Sequence, residues 1–231
     1  MIKKRSITLL LLLVLATGVS YAGDVATFLN LGFSEDSRVF MFGQYGVDAQ
    51  SGKAYADLFT VDVPANRFVS GGVQRLRSDQ PVEATQDGKG ALFTLVRRHA
   101  DLAAGHSIDH LATGRILYFA LNEGEPKSQI SFRDHQAGRS YRLRLHQSSR
   151  GRDETLRARF HIELETIDAE GRRREHTIGL PEFDRKGVKR YRIGQVYLSP
   201  DERSVVIVVE MEYPTATGKN VRYMVETARV H

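Results

Sequence analysis

The chain predicts a mainly β fold built from antiparallel hairpins, with one amphipathic helix. Three observations carry that expectation. Apolar residues alternate with period two through most of residues 23–231, turn residues interrupt the alternation at short intervals, and one stretch alone changes to helical spacing. Short connections join strands into antiparallel pairs, which suggests a sandwich-like or incomplete-propeller arrangement, with a small complete β-propeller as the alternative.

The strands follow from the pattern. Phe40, Phe42, Tyr45, Tyr55 and Phe59 load the first hairpin with aromatics, which strand cores favour. Residues 71–88 hold Gly71-Gly72, Pro81 and Gly88 and read as a connecting loop. Over residues 88–104, Leu92, Leu95, Val96, Leu102 and Ala103 recur at helical spacing with Arg97, Arg98 and Asp101 between them, and Gly105 supplies a stop. In 139–147, Tyr141, Leu143 and Leu145 oppose Arg142, Arg144 and His146. In 157–167, Phe160, Ile162 and Leu164 oppose Arg159, His161, Glu163 and Glu165. The turn Asp168-Ala169-Glu170-Gly171 then returns the chain as a partner strand over 173–180. Ser204–Tyr213, dense in valine and isoleucine, and Val221–Arg229 form the last hairpin.

The first 22 residues read as a cleaved secretory signal peptide. Lys3, Lys4 and Arg5 make a positive n-region, Leu9 to Leu15 an apolar core, and Ser20-Tyr21-Ala22 a small-residue cleavage site after Ala22. Residues 23–231 are then a single β-rich exported domain, periplasmic or extracellular, with no apolar run of the roughly 20 residues that a spanning helix needs.

Removing the signal takes three basic residues and no acid, so a net charge of +5 falls to about +2. Near-neutrality and export argue against nucleic acid as a partner. The charge is uneven: residues 139–192 hold 15 basic and 9 acidic residues, and this is the segment suited to an acidic surface. Cysteine is absent, which excludes disulfides, thiol nucleophiles, cysteine metal sites and a lipid-anchoring cysteine. Packing must supply the stability.

An internal match links the two ends of the exported chain. Phe33-Ser34-Glu35-Asp36-Ser37-Arg38-Val39 aligns with Leu198-Ser199-Pro200-Asp201-Glu202-Arg203-Ser204, and each leads through a strand to a Gly-Lys loop (Gly52-Lys53 and Gly218-Lys219). Short polar side chains in Ser-x-Asp bond nearby amides and set a tight turn before a strand. The unit resembles the WD40-like propeller repeat of periplasmic Tol-type proteins, with Ser37 and Glu202 standing where that repeat has glycine. The chain as a whole is similar to a group of uncharacterised bacterial predicted secreted proteins classed as a domain of unknown function. That resemblance rests on Asp24-Val25-Ala26-Thr27-Phe28, Leu31-Gly32-Phe33-Ser34, Phe40-Met41-Phe42-Gly43-Gln44-Tyr45-Gly46 and Ile108-Asp109-His110-Leu111. It implies export and a shared fold, and no activity.

Few residues stand out as a site. His106 and His110 would share one helix face as metal ligands must, but Gly105 ends the helix before them, so no metal site and no cofactor is expected. Arg172-Arg173-Arg174 follows a turn and could bind an acidic surface or simply be a solvated hairpin tip. Glu163/Glu165 and Glu210/Glu212 pair carboxylates on strand faces, as general acid–base chemistry would want. No nucleophile elbow, phosphate loop or dinucleotide fingerprint is present. These features favour a non-catalytic exported protein that binds another envelope protein. The alternative is a hydrolase or glycan-binding protein acting on envelope polymers. Both a monomer and an edge-paired oligomer are compatible with this reading.

Overall fold

Three antiparallel sheets and a helical layer are stacked in the order helices, first sheet, central sheet, outer sheet. The computed structural model describes residues 23–83, 85–121, 125–215 and 218–230. The signal peptide expected over residues 1–22 lies outside them.

The first sheet comes from β1 (Thr27–Ser34), β2 (Val39–Val47), β3 (Lys53–Asp62) and β4 (Arg67–Pro81). Helices α1 (Lys89–Arg98) and α2 (Ala100–Gly105) follow, and the two-residue β5 (Ile108–Asp109) closes the strand order β4-β3-β2-β1-β5. β6 (Arg115–Phe119) joins β12 (Arg190–Leu198), β13 (Ser204–Tyr213) and β14 (Asn220–Arg229) in the central sheet, ordered β14-β13-β12-β6. β7 (Gln129–Asp134), β8 (Arg139–Arg150), β9 (Arg157–Ile167) and β10 (Arg173–Gly179) form the outer sheet in the order β10-β9-β8-β7, and β11 (Arg185–Lys186) also pairs with β9.

The central sheet is buried on both faces. Val205, Ile207 and Val209 of β13 pack toward the outer sheet with Leu143, Phe160 and Ile162. Val206 and Val208 point the other way, onto Phe40, Phe42 and Phe59 of the first sheet. This is why Ser204–Val209 is buried without a break: a strand between two sheets needs apolar residues at consecutive positions. Each such side chain contributes about 1.5–3 kcal/mol by leaving water. The first sheet is covered in the same way on its far side, where Met41, Ala56 and Leu58 meet Leu92 and Leu95 of α1. Gly43 allows that approach, since a Cβ there would lie 2.5 Å from Leu92 Cδ1. The sheets stack in line, the open arrangement rather than a complete propeller.

The two repeat turns form with the same geometry. Ser34 Oγ donates to Asp36 Oδ1 at 2.6 Å and accepts from the Val39 amide at 2.9 Å. Ser199 Oγ donates to Asp201 Oδ1 at 2.6 Å and accepts from the Ser204 amide at 2.9 Å. The equivalent apolar residues on either side of the two turns point the same way along the stack. Phe33 and Phe40 face the central sheet, while Leu198 and Val205 face the outer one. The second copy is therefore displaced along the stack and does not mirror the first across their interface.

Two expectations change. Residues 71–81 are strand and not loop: β4 is an edge strand, where proline costs no ladder bond, and a bulge between Phe59 and Val61 takes up Gly71-Gly72. Gly72 is required there, because a Cβ would lie 2.6 Å from the Thr60 carbonyl oxygen. The helix expected over 88–104 is two helices broken at His99, whose φ of −115° and ψ of 28° leave the helical range. The break redirects the chain toward β5 at the sheet edge while Ala103 still packs with Leu95.

Candidate functional site

Stacking covers both faces of two sheets and leaves one wide strand face open, the outer face of the outer sheet. Alternation along β8 and β9 builds it. Tyr141, Leu143, Leu145, Phe160, Ile162 and Leu164 fill the core. The residues between them form cross-strand rows: Arg142 opposite Glu165, Arg144 opposite Glu163, and His146 opposite His161. β10 extends two rows, with Glu175 opposite Glu165 and Thr177 opposite Glu163.

Two of the acids on this face, Glu163 and Glu165, are held by basic neighbours. Arg142 donates to Glu165 at 2.7 Å, and Arg173 reaches the other oxygen at 3.1 Å. Glu163 Oε2 lies 3.0 Å from His146 Nε2 and 3.9 Å from Arg144 Nη1. The hydrogen bond from His146 holds the Glu163 carboxyl below the usual range. The two imidazole rings stack with centroids 4.6 Å apart and an interplanar angle of 6°. Beside them, Arg142, Arg144, Glu163, Glu165, Glu175 and Thr177 line a shallow depression of about 400 Å³.

The arginine run does not form one surface, because strand alternation splits it. Arg172 sits at the hairpin tip with Asp168 and Glu170, at 2.7 and 3.0 Å. Arg173 joins the open face, and Arg174 turns to the opposite side, toward the Val230 carbonyl oxygen at 3.4 Å. His106 caps α2, while His110 Nδ1 donates to the Leu31 carbonyl at 2.5 Å. The two histidines thus flank β5, the short strand that follows α2 and pairs with β1. Glu210 and Glu212 sit on the central sheet: Arg192 holds Glu210 at 2.8 Å through two nitrogens, and Arg190 holds Glu212 at 2.6 Å.

The sequence reading missed the meeting of His146 and His161. Each was visible as a polar strand residue, but their pairing depends on the register across the Gly151–Leu156 connection, which includes a 3₁₀ turn at Asp153–Thr155. A two-fold alternation with histidine on both polar faces was the available signal.

Fold and face together define a cysteine-free, antiparallel β protein with a charged, solvent-open sheet. The chain belongs to the family described as predicted secreted protein (DUF2259), whose profile matches residues 41–229, from β2 through β14. No curated protein matches the chain. Among the described residues, no helix is long and apolar enough to cross a membrane.

Proposed function

We propose that this is an exported binding protein that docks an acidic surface of another envelope protein on the open face of its outer sheet. One observation carries the reading: the face left uncovered by the stack presents arginines on two adjacent strands, Arg142 and Arg144 on β8 and Arg159 on β9, alternating with Glu163 and Glu165 across the strands, with Arg159 held by Glu182 at 2.6 Å. A broad, open strand face of mixed charge suits a protein surface better than a small substrate, and its arginines, now paired with Glu165 and Glu182, can exchange those partners for the carboxylates of an acidic surface. Family membership among predicted secreted proteins agrees with export.

The hydrolase reading has less support. A general acid is served by a carboxyl held above its usual range, and in each of the two candidate carboxylate pairs one member, Glu163 or Glu212, is held below it by its basic neighbours.

The test is affinity capture from detergent-solubilised envelope at low and high salt, using the wild type and an Arg144→Glu/Arg159→Glu variant. The expected result is one stoichiometric acidic protein, retained by the wild type at low salt, released at high salt and not captured by the variant. A partner captured equally by both proteins, or no stoichiometric partner at low salt, overturns the reading.

A further inference from the structure

We propose that His146, His161 and Glu163 bind a divalent d-block metal ion, with zinc as the representative case. This goes beyond the docking reading and does not rest on it.

The register supplies the site. His146 and His161 are directly opposed on neighbouring strands, and Glu163 lies two residues beyond His161 on the same face. Opposed strand positions hold their Cβ atoms about 4.5–5.5 Å apart, so two imidazoles at one such pair share a small volume. One ligand atom from each of the three residues lies within 4.8 Å of the others. Zinc bonds of about 2.0–2.2 Å to nitrogen and oxygen require closer ligands, on the order of 3.3 Å apart in a tetrahedron. The side chains can close that gap. His146 and Glu163 are 44% and 48% exposed, so their torsions are free to adjust without disturbing the core.

The donor set selects the metal. Two imidazoles and one carboxylate suit zinc, copper and nickel, whereas calcium and magnesium prefer oxygen ligands throughout. Three protein ligands leave a fourth position for water or an anionic group, the open form of a zinc site. Arg144 is the opposing influence, 3.9 Å from Glu163. A bound cation would replace His146 as the partner of Glu163 and push Arg144 toward solvent, where it is already 53% exposed. Among the described residues, this is the group that brings three ligand side chains together.

The experiment is isothermal titration of the metal-stripped, untagged exported protein with zinc chloride at neutral pH. His161→Gln and Glu163→Gln variants are run beside it, with His106→Gln at the C-cap of α2 as a control. The expected result is one zinc per chain, bound at least ten-fold more weakly by both site variants and unchanged in the control. Unchanged thermal unfolding of the metal-free variants shows that they fold. Cobalt absorption gives a second readout: an intense tetrahedral band in the wild type that both site variants lose. Absence of one-to-one binding, or binding that both site variants retain, overturns the proposal.

Discussion

The backbone amide of Asp201 donates to Ser37 Oγ at 3.3 Å, joining the two repeat turns across 164 positions of sequence. Each turn also ties itself. Asp36 Oδ1 accepts from the Arg38 amide at 3.0 Å and Asp201 Oδ1 from the Arg203 amide at 3.1 Å. Ser37 and Glu202 stand in the left-handed region at φ 59° and 58°. The two motifs are thus one structural device used twice, and the first touches the second at the end of the stack between the first and central sheets.

Removing the serine of a turn should cost more in the second copy. Ser199→Ala leaves the buried Ser204 amide without its acceptor, and an unsatisfied buried donor costs about 1–3 kcal/mol. Ser34→Ala affects a part-buried bond and should cost nearer 1 kcal/mol. Urea titration is the measurement, with a lower midpoint and an unchanged slope for both variants. A Ser199→Ala midpoint equal to that of the wild type would show that the turn is held by other contacts.

The left-handed residues give a second, cleaner comparison. An L residue with a Cβ is strained at φ 58°, by about 1–2 kcal/mol, and glycine is not. Glu202→Ala and Glu202→Gly both lose the ion pair to Arg115 at 3.0 Å, which is exposed on the glutamate side. Their difference isolates the backbone term, offset in part by the extra unfolded-state freedom of glycine. The glycine variant should be the more stable of the two by about 1 kcal/mol in urea unfolding. Equal stabilities would mean that the turn relaxes out of the left-handed region when the glutamate is lost.

Much of this architecture was legible because strand patterning is local. Arg142, Arg144 and His146 alternate with Tyr141, Leu143 and Leu145, so the outer sheet could be read as half-solvated from nine residues. The valine-rich run Val205–Val209 announced a strand, but burial on both faces is a property of its neighbours and leaves only the loss of alternation as a trace. β4 was hidden for the opposite reason: Gly71-Gly72 and Pro81 are turn residues in isolation, and only the bulge and the edge position make them strand residues. The site was the least legible part. Its arginines followed from alternation, whereas the His146–His161 pair depends on a cross-strand register that no local spacing encodes.

Arg115 and Asp134 form a bidentate ion pair between elements, at 2.5 and 2.9 Å, with the Asp134 side chain 1% exposed. It links β6 of the central sheet to β7 of the outer one. The hydrogen bond from Arg115 holds the Asp134 carboxyl below its usual range. A lowered carboxyl stabilises the fold above its unfolded pKa and stops doing so as pH falls through the folded value. Arg115→Ala strands a buried carboxylate that keeps amide bonds from Gln136 and Ala137, so a loss of about 2–4 kcal/mol is expected at pH 7. Urea midpoints across pH should show the gap between variant and wild type shrinking below about pH 4. A gap independent of pH would make the loss one of packing alone.

Glu226 on β14 should behave with the opposite sign. It lies where the three sheets meet, its residue 5% exposed, accepting from Asn66 Nδ2 at 2.5 Å with Arg185 3.8 Å away. Burial pushes its carboxyl above the ordinary 4.5, and the Asn66 bond and the Arg185 charge only partly offset that. A carboxyl raised in the fold contributes fully below its unfolded pKa, and that contribution is lost as pH rises through the folded value. Glu226→Gln removes the titration and keeps an acceptor for Asn66. The variant should therefore gain on the wild type between pH 5 and pH 8, read as a growing difference in urea midpoint. A difference that moves the other way would mean that Arg185 holds the carboxylate ionised, and that the junction of the three sheets is fastened by a buried ion pair.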